Sequence, residues 1–353
     1  MKKLRRFSKK SAQAGEAPER ITNETVAEHR ERVLAGGRRF KYPVQYAKHR
    51  LVINAIIIAV VAFFMVVAII WWQLYLVQNT STFFYRITRV LPLPVAIVDG
   101  EQVRFSNYLV GFRSQEYYLQ QKEGIDLYSK GYRQQLDYIK RKALDDAITD
   151  AYAAKLADEK GIKITNLQID KAIENQRQSR DGLISQETYN AIVMDQFNWT
   201  PDEAREVTAR RLLTQEVAFQ IDKTATTQSA MVAQAVKSGK DFTAIAASIP
   251  SYDGVKVVSG EMPLVPINNQ DGGAAEIASK LKVGSVSQVF RSTTGDGYYV
   301  VKLLKKSDDK VSYAFIKISL TVFAKELSAV KRDHQIKEFI TISDNTSSQA
   351  TKK

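Results

Sequence analysis

Apolar and polar positions alternate along this chain in three different ways. The first is a single continuous apolar run, LVINAIIIAVVAFFMVVAIIWWQLY, from Leu51 to Tyr75. Leu51 to Ile70 holds no charge and one polar residue, Asn54. About 20 helical residues rise roughly 30 Å, the hydrocarbon thickness of a bilayer. Trp71, Trp72 and Tyr75 follow, where amphipathic rings favour the headgroup layer. A soluble helix rarely stays apolar all round for this length. The run therefore predicts a transmembrane helix over 51–75, followed by a juxtamembrane connector over 76–93.

The second regime, over 94–222, has mostly helical spacing. It opens with a short strand at Val95, Ile97 and Val98, a turn at Asp99-Gly100 and a returning strand from Gln102 to Phe105. Ser106 is the expected cap of a helix to about Gln121. Leu136, Ile139, Ala143, Leu144, Ala147, Ile148, Ala151, Tyr152 and Leu156 recur at three- and four-residue steps, which predicts one long helix over 132–160 with a buried stripe. Gly161 ends it. Thr165 with Gln168, Ser185, and Thr200-Pro201 with Glu203 mark the starts of three more helices, the last running to about Ile221.

The third regime is mixed. Thr224 to Ser229 reads as a polar joint. Short helices are expected over 230–237 and up to Ala247. Strand-like runs follow at Val255–Val258, Val286–Phe290, Tyr298–Leu304 and Ser312–Leu320. A C-terminal helix is expected over 321–342, and 343–353, rich in Ser, Thr, Gln and Lys, reads as a disordered tail. The fold class is α+β: one N-terminal transmembrane helix, a helical domain over 94–222 and a small α+β domain over 230–320.

Charge sets the expected orientation. Residues 1–50 carry 14 Lys/Arg and 5 Glu, a net +9 of the chain's +13, leaving +4 for everything after. Basic residues before a first span favour the cytoplasmic side. The tail over 1–50 therefore reads as a disordered cytoplasmic topology signal, with no nucleic-acid partner expected. The later domains read as extracytoplasmic, on a single-pass protein of the plasma (inner) membrane. The apolar run is too long and starts too late for a cleaved signal peptide.

There is no cysteine, and the three histidines are His29, His49 and His334. Disulfides, thiol catalysis and Cys-based metal sites are excluded, and a His cluster or Ser-His-Asp triad has almost no material. The chain has no GxGxxG, P-loop or paired-His zinc motif, so neither cofactor nor metal is expected.

PVAIVDGEQVRFSNY resembles the opening of SurA/PrsA-type foldases and trigger-factor-like chaperone domains. ALDDAITDAYAAKLADEKGIKITNLQIDKAI and FNWTPDEAREVTARRLLTQEV follow in the same order as in those proteins. The resemblance covers 94–222. Residues 230–305 are similar to a parvulin-type (PpiC-like) prolyl isomerase domain, through VKSGKDFTAIAAS and IASKLKVGSVSQVFRSTTGDGYYVVKLLKK. The departures are substantial. No histidine lies between 50 and 333, and Tyr299 stands where parvulins usually carry their last-strand histidine. The family's GGDLG is reduced to Ser259-Gly260-Glu261-Met262. No aromatic floor for a proline pocket is evident near Ala274–Ile277, and the first strand is missing before the domain. Ser312–Leu320 has the pattern to supply that strand from the C-terminal side, in the middle of the sheet.

The resemblance implies a membrane-anchored chaperone that binds unfolded or newly exported polypeptides. Phe112, Tyr117, Tyr118, Tyr128, Tyr132 and Tyr138 are candidates for an aromatic cradle. It also implies two candidate catalytic residues: Asp253, which could perturb the prolyl amide, and Tyr299, which could donate a hydrogen bond. Prolyl isomerisation needs only a pocket that favours the twisted amide over the planar one, against a barrier of about 18–20 kcal/mol. Two alternatives stand beside the chaperone: an active isomerase with a rebuilt site, and a single-pass scaffold of an envelope or secretion assembly.

Overall fold

The computed structural model describes residues 22–41, 43–179, 182–252 and 255–343. It divides into two compact units, one up to Ile70 and one from Trp71 onward.

The first unit holds α1, Asn23–Lys41, and most of α2, Pro43–Trp71. The lead expected to be disordered is thus helical from Asn23. Among the described residues, His49–Leu76 is the one helical stretch long and apolar enough to cross a membrane. Every side chain from Leu51 to Ile69 is exposed, so this helix is no part of the chain's own core.

The second unit starts with a π-helical turn, Trp72–Leu76. The connector carries a helix of its own, α3, Thr82–Val90. Then come β1, Pro94–Val98, and β2, Glu101–Arg104, joined at Asp99-Gly100 with positive φ at both. The helix α4, Phe105–Gln121, begins directly after β2. Ser106 lies inside it and caps nothing; Arg104 occupies the cap position without a side-chain bond. The helix α5, Arg133–Lys160, buries the predicted stripe from Ile139 to Leu156 and stops at Gly161, whose φ of 66° is left-handed. Next are α6, Asn166–Gln176, a small hairpin of β3, Gln178–Ser179, and β4, Gly182–Leu183, then α7, Gln186–Phe197, and α8, Pro201–Ile221. The capping boxes at Thr165–Gln168 and Thr200–Glu203 both form.

The polar joint expected at Thr224–Ser229 is helical, inside α9, Lys223–Val236. Asp222 makes this possible: its buried carboxylate accepts from the Ala225 amide at 2.8 Å and starts the new helix at once. α10, Phe242–Ser248, is capped by Asp241. The sheet follows as β5, Val258–Pro266, α11, Ala274–Ser279, β6, Phe290–Arg291, β7, Gly297–Lys306, and β8, Lys310–Ser319. The strand expected at 255–258 thus begins where it was to end. The run 286–290 contributes only Phe290 to a strand, plus an isolated bridge from Val286 to Lys302.

The four strands are antiparallel in the order β5-β8-β7-β6, so β8 is interior. Strand alternation gives the sheet two faces. Tyr298 and Val300, with Ala314, Ile316 and Ile318, pack with Phe219, Val232, Phe242 and Ile245 from the helices on one side. Val301, Leu303, Val311 and Tyr313 pack with Ala274, Ala275 and Ala278 of α11 on the other. The helix expected over 321–342 ends early. α12 covers Val322–Arg332, His334 takes a positive φ, and Ile336–Glu338 forms β9. That strand pairs antiparallel with β1, giving a second sheet of order β2-β1-β9. Of the expected tail, 344–353 lie outside the described residues.

Candidate functional site

α11 is only 6 residues long and covers one end of its sheet face. The other end stays open as a cleft of about 370 Å³. Odd-numbered positions of β8 and β7 line it: Tyr313, Phe315 and Lys317 beside Tyr299, with Met262 from β5. Tyr299 stacks on Phe290 at 6.0 Å between ring centroids and lies 6.4 Å from Phe315. Gly260 permits this packing, because a Cβ there would stand 2.9 Å from the Phe315 ring.

The polar side of the cleft is organised by Asp296. Its Oδ2 accepts from the Tyr299 hydroxyl at 2.8 Å and from Lys317 Nζ at 2.5 Å. Its Oδ1 accepts from Ser292 Oγ at 2.6 Å and Thr294 Oγ1 at 2.7 Å. Partial burial opposes the charge, but Lys317 and the three hydroxyls outweigh it and hold the carboxyl well below the usual carboxylate range. Lys317 also lies 5.5 Å from the centre of the Tyr299 ring. Burial works against its charge, and the bonds to Asp296 and Tyr299 raise its pKa. Burial also raises the Tyr299 phenol. Opposite, Tyr313 donates to Asp271 at 2.6 Å.

The hydroxyl proton of Tyr299 is therefore committed to Asp296, and the Asp296 carboxylate is saturated. The arrangement suits holding a planar or apolar ring between aromatic walls, with a fixed cation nearby, better than passing a proton. Asp253, the other candidate, lies outside the described residues. The residues that shape the cleft, Asp296, Tyr313, Phe315 and Lys317, were not singled out from the sequence. The last three lie on the alternate face of the strand expected over Ser312–Leu320, opposite Ala314, Ile316, Ile318 and Leu320.

A second concavity, of about 260 Å³, lies among α3, α4, α7 and α8. Its floor is a buried polar knot. Glu203 accepts from the Tyr85 hydroxyl at 2.7 Å and, as partner in the Thr200 capping box, from the Thr200 amide at 2.8 Å; Arg89 lies 3.4 Å away. Burial opposes the Glu203 charge, and these donors still lower its pKa. Arg113 sits 4.8 Å above the Tyr85 ring and donates to Thr82 at 2.8 Å. Asn198, at φ 54°, ends α7 in a left-handed turn that stacks Trp199 on Phe197 at 4.8 Å. Trp199, Phe197 and Met194 thus face Arg113 and Arg86 across an open groove.

The six aromatics proposed as a cradle are not brought together in one role. Phe112 is fully buried core. Tyr118, Tyr128, Tyr132 and Tyr138 are exposed, and Tyr117 is half-buried. The Tyr128 hydroxyl turns in onto Glu116, and burial of that end with this hydrogen bond pushes it up to about 12, while the rest of the ring stays exposed.

Residues 45–218 match the family described as SurA-like N-terminal domain. The match runs from within α2 into α8, takes in the Tyr85–Trp199 groove, and stops before the four-stranded sheet. No curated protein matches the chain.

Proposed function

We propose that this chain is a membrane-anchored extracytoplasmic chaperone that holds unfolded exported polypeptides in its helical part. The observation that carries the reading is the SurA-like match over 45–218, together with the one helix among the described residues apolar enough to serve as an anchor. The Trp199–Phe197–Met194 groove, with Arg113 at its rim, offers an apolar surface with a cationic edge for non-native segments. The net +9 of residues 1–50 supports a cytoplasmic tail, with the later domains outside.

A working prolyl isomerase with a rebuilt pocket is the second reading. One observation favours it: β8 runs inside the sheet, where a parvulin-type domain needs its first strand, and brings Tyr313 and Phe315 to an open cleft beside Tyr299. With no histidine in the sheet, the cleft could act only by binding the twisted amide more tightly than the planar one.

The deciding experiment uses the full chain in lipid nanodiscs, assayed for aggregation suppression and for proline-limited refolding of the same client. The chaperone reading expects suppression that weakens in Trp199→Ala and an unchanged refolding rate. Faster refolding that disappears in Tyr299→Phe would replace it with the isomerase. Neither effect, with a stoichiometric partner co-purifying, would move the reading to a scaffold.

A further inference from the structure

We infer that the outer face of α3 lies in the headgroup layer of the bilayer that holds the chain's own span, with Phe83, Val90 and Leu91 inserted and Arg86 at the lipid phosphates. The inference rests on reading α2 as a membrane anchor and gives the protein a second, interfacial contact with the same leaflet.

The two faces of α3 differ sharply. Tyr85 and Thr88 are buried, and Phe84 and Ile87 are half-buried. Phe83 is 65% exposed and Val90 80%. Positions 83, 86, 87 and 90 share one helical stripe at three- and four-residue spacing. Arg86 stands in that stripe with no acidic partner among the described residues, at the rim of the groove described above.

The inner face is pinned by the Tyr85–Glu203 bond and by Arg89 on Glu206 at 2.6 Å. α3 therefore cannot roll to hide Phe83 and Val90. An apolar stripe held outward, with a cation among its apolar residues, is the chemistry of a helix lying in a membrane interface. The arginine stem reaches past the apolar residues to the phosphates.

Connectivity names the occupant. Only residues 77–81 separate the π-helical turn from α3, a reach of at most about 20 Å. That link is a built turn. Gln78 takes a positive φ of 53°, the Asn79 amide donates to the Gln73 carbonyl at 2.8 Å, and Asn79 Oδ1 accepts from the Ser81 amide at 2.9 Å. Trp71, Trp72, Leu76 and Val77 are exposed on the near side of the turn, and Phe83, Val90 and Leu91 beyond it. If the first group meets a bilayer, the second is tethered within reach of the same surface.

The absence of cysteine makes the test clean. Single variants Ile58→Cys, Phe83→Cys, Val90→Cys and Leu167→Cys of the full chain would each carry a bimane label. They would be reconstituted in phosphatidylcholine vesicles containing phosphatidylglycerol, with a doxyl quencher near the headgroups or deep in the chains. Each site is exposed, so labelling disturbs no core. The inference expects the shallow quencher to lower emission at 83 and 90 at least about twofold, with the deep quencher strongest at 58 and no quenching at 167. Quenching at 58 with none at 83 and 90 overturns the interfacial helix and leaves the anchor standing. No quenching at 58 overturns the anchor and this inference with it. Equal quenching at 167 means indiscriminate adsorption and also overturns the inference.

Discussion

Replacing Asp222 should loosen two helices at once. Its Oδ1 accepts from the Ala225 amide at 2.8 Å, capping α9, while its Oδ2 accepts from the Thr321 and Val322 amides at 2.8 and 3.3 Å. α12 has no side-chain cap of its own from Thr321, so a carboxylate about a hundred residues earlier satisfies its first donors. Asp222 is 1% exposed, so no bulk water can take over at once. In Asp222→Ala the lost N-cap costs about 1 kcal/mol, and two under-satisfied amides about 1 kcal/mol each, roughly 3 kcal/mol together. Asp222→Asn keeps one acceptor but turns an N–H toward donors, so about 2 kcal/mol is expected. For a unit of this size these changes lower the melting point by roughly 3–6 °C. The assay is thermal melting of the full chain in detergent, with hydrogen exchange read at 222–228 and at 319–325. Protection should fall in both segments. A melting shift below about 2 °C, or faster exchange confined to α9, would refute the idea that one carboxylate serves both helices.

Other outcomes follow from the same geometry. Asp296 has a depressed carboxyl pKa, so its contribution is present above the unfolded value near 4 and is lost as pH falls through the lower folded value. Acid titration of stability should therefore be flatter below about pH 4 in Asp296→Asn than in the parent, with partial exposure keeping the effect small. Tyr85→Phe should cost about 1.5 kcal/mol in urea unfolding by removing a donor from buried Glu203; no measurable loss would mean that Arg89 and the Thr200 cap hold that carboxylate alone. Gly297→Ala puts a Cβ 2.1 Å from the Ile318 carbonyl oxygen, at φ 156°, and should cost about 3 kcal/mol or more and reduce soluble yield. Trp199→Ala should weaken binding of an unfolded client several-fold and also lower the melting point by a few degrees, since the half-buried ring stacks on Phe197 and packs against Tyr189, Val193 and Ala204; the exposed Met194→Ala should weaken binding with a smaller melting shift.

Local chemistry was legible in the sequence wherever it is decided locally. The capping boxes at Thr165 and Thr200, the Gly161 stop and the buried stripe of α5 depend on residues within a few positions of one another. The errors fall where a distant partner decides. Thr224–Ser229 reads as a joint by composition, yet Asp222 caps it into helix. Ile336–Glu338 is too short and polar to announce itself as a strand, and becomes one only because β1 offers an edge. The connector over 76–93 hides α3 because its apolar residues lie on both faces, half against the groove floor and half outward. In the cleft, Tyr299 was found through the resemblance, while Asp296 sits in a turn, and turn residues are ordinarily solvated. What makes it central is that Ser292, Thr294, Tyr299 and Lys317 converge on it, which no linear spacing reveals.

The pairing of β9 with β1 has a consequence in time. Ala96 lies opposite Glu338, a separation of 242 residues, and Val98 opposite Ile336. A chain synthesised from its N-terminus must present β1 and β2 long before their third strand arrives. Contacts this far apart form late, because loop closure must precede any gain from pairing. During that interval the helices of the 94–222 region can assemble while one edge of their small sheet stays open. Closure by Ile336–Glu338 then reports that the whole intervening chain has been delivered. A product cut short before residue 336 would carry an unpaired strand edge, a ready template for association or a handle for proteolysis. Ile336–Glu338 thus sets when the small sheet can close, a matter of timing rather than of contact strength.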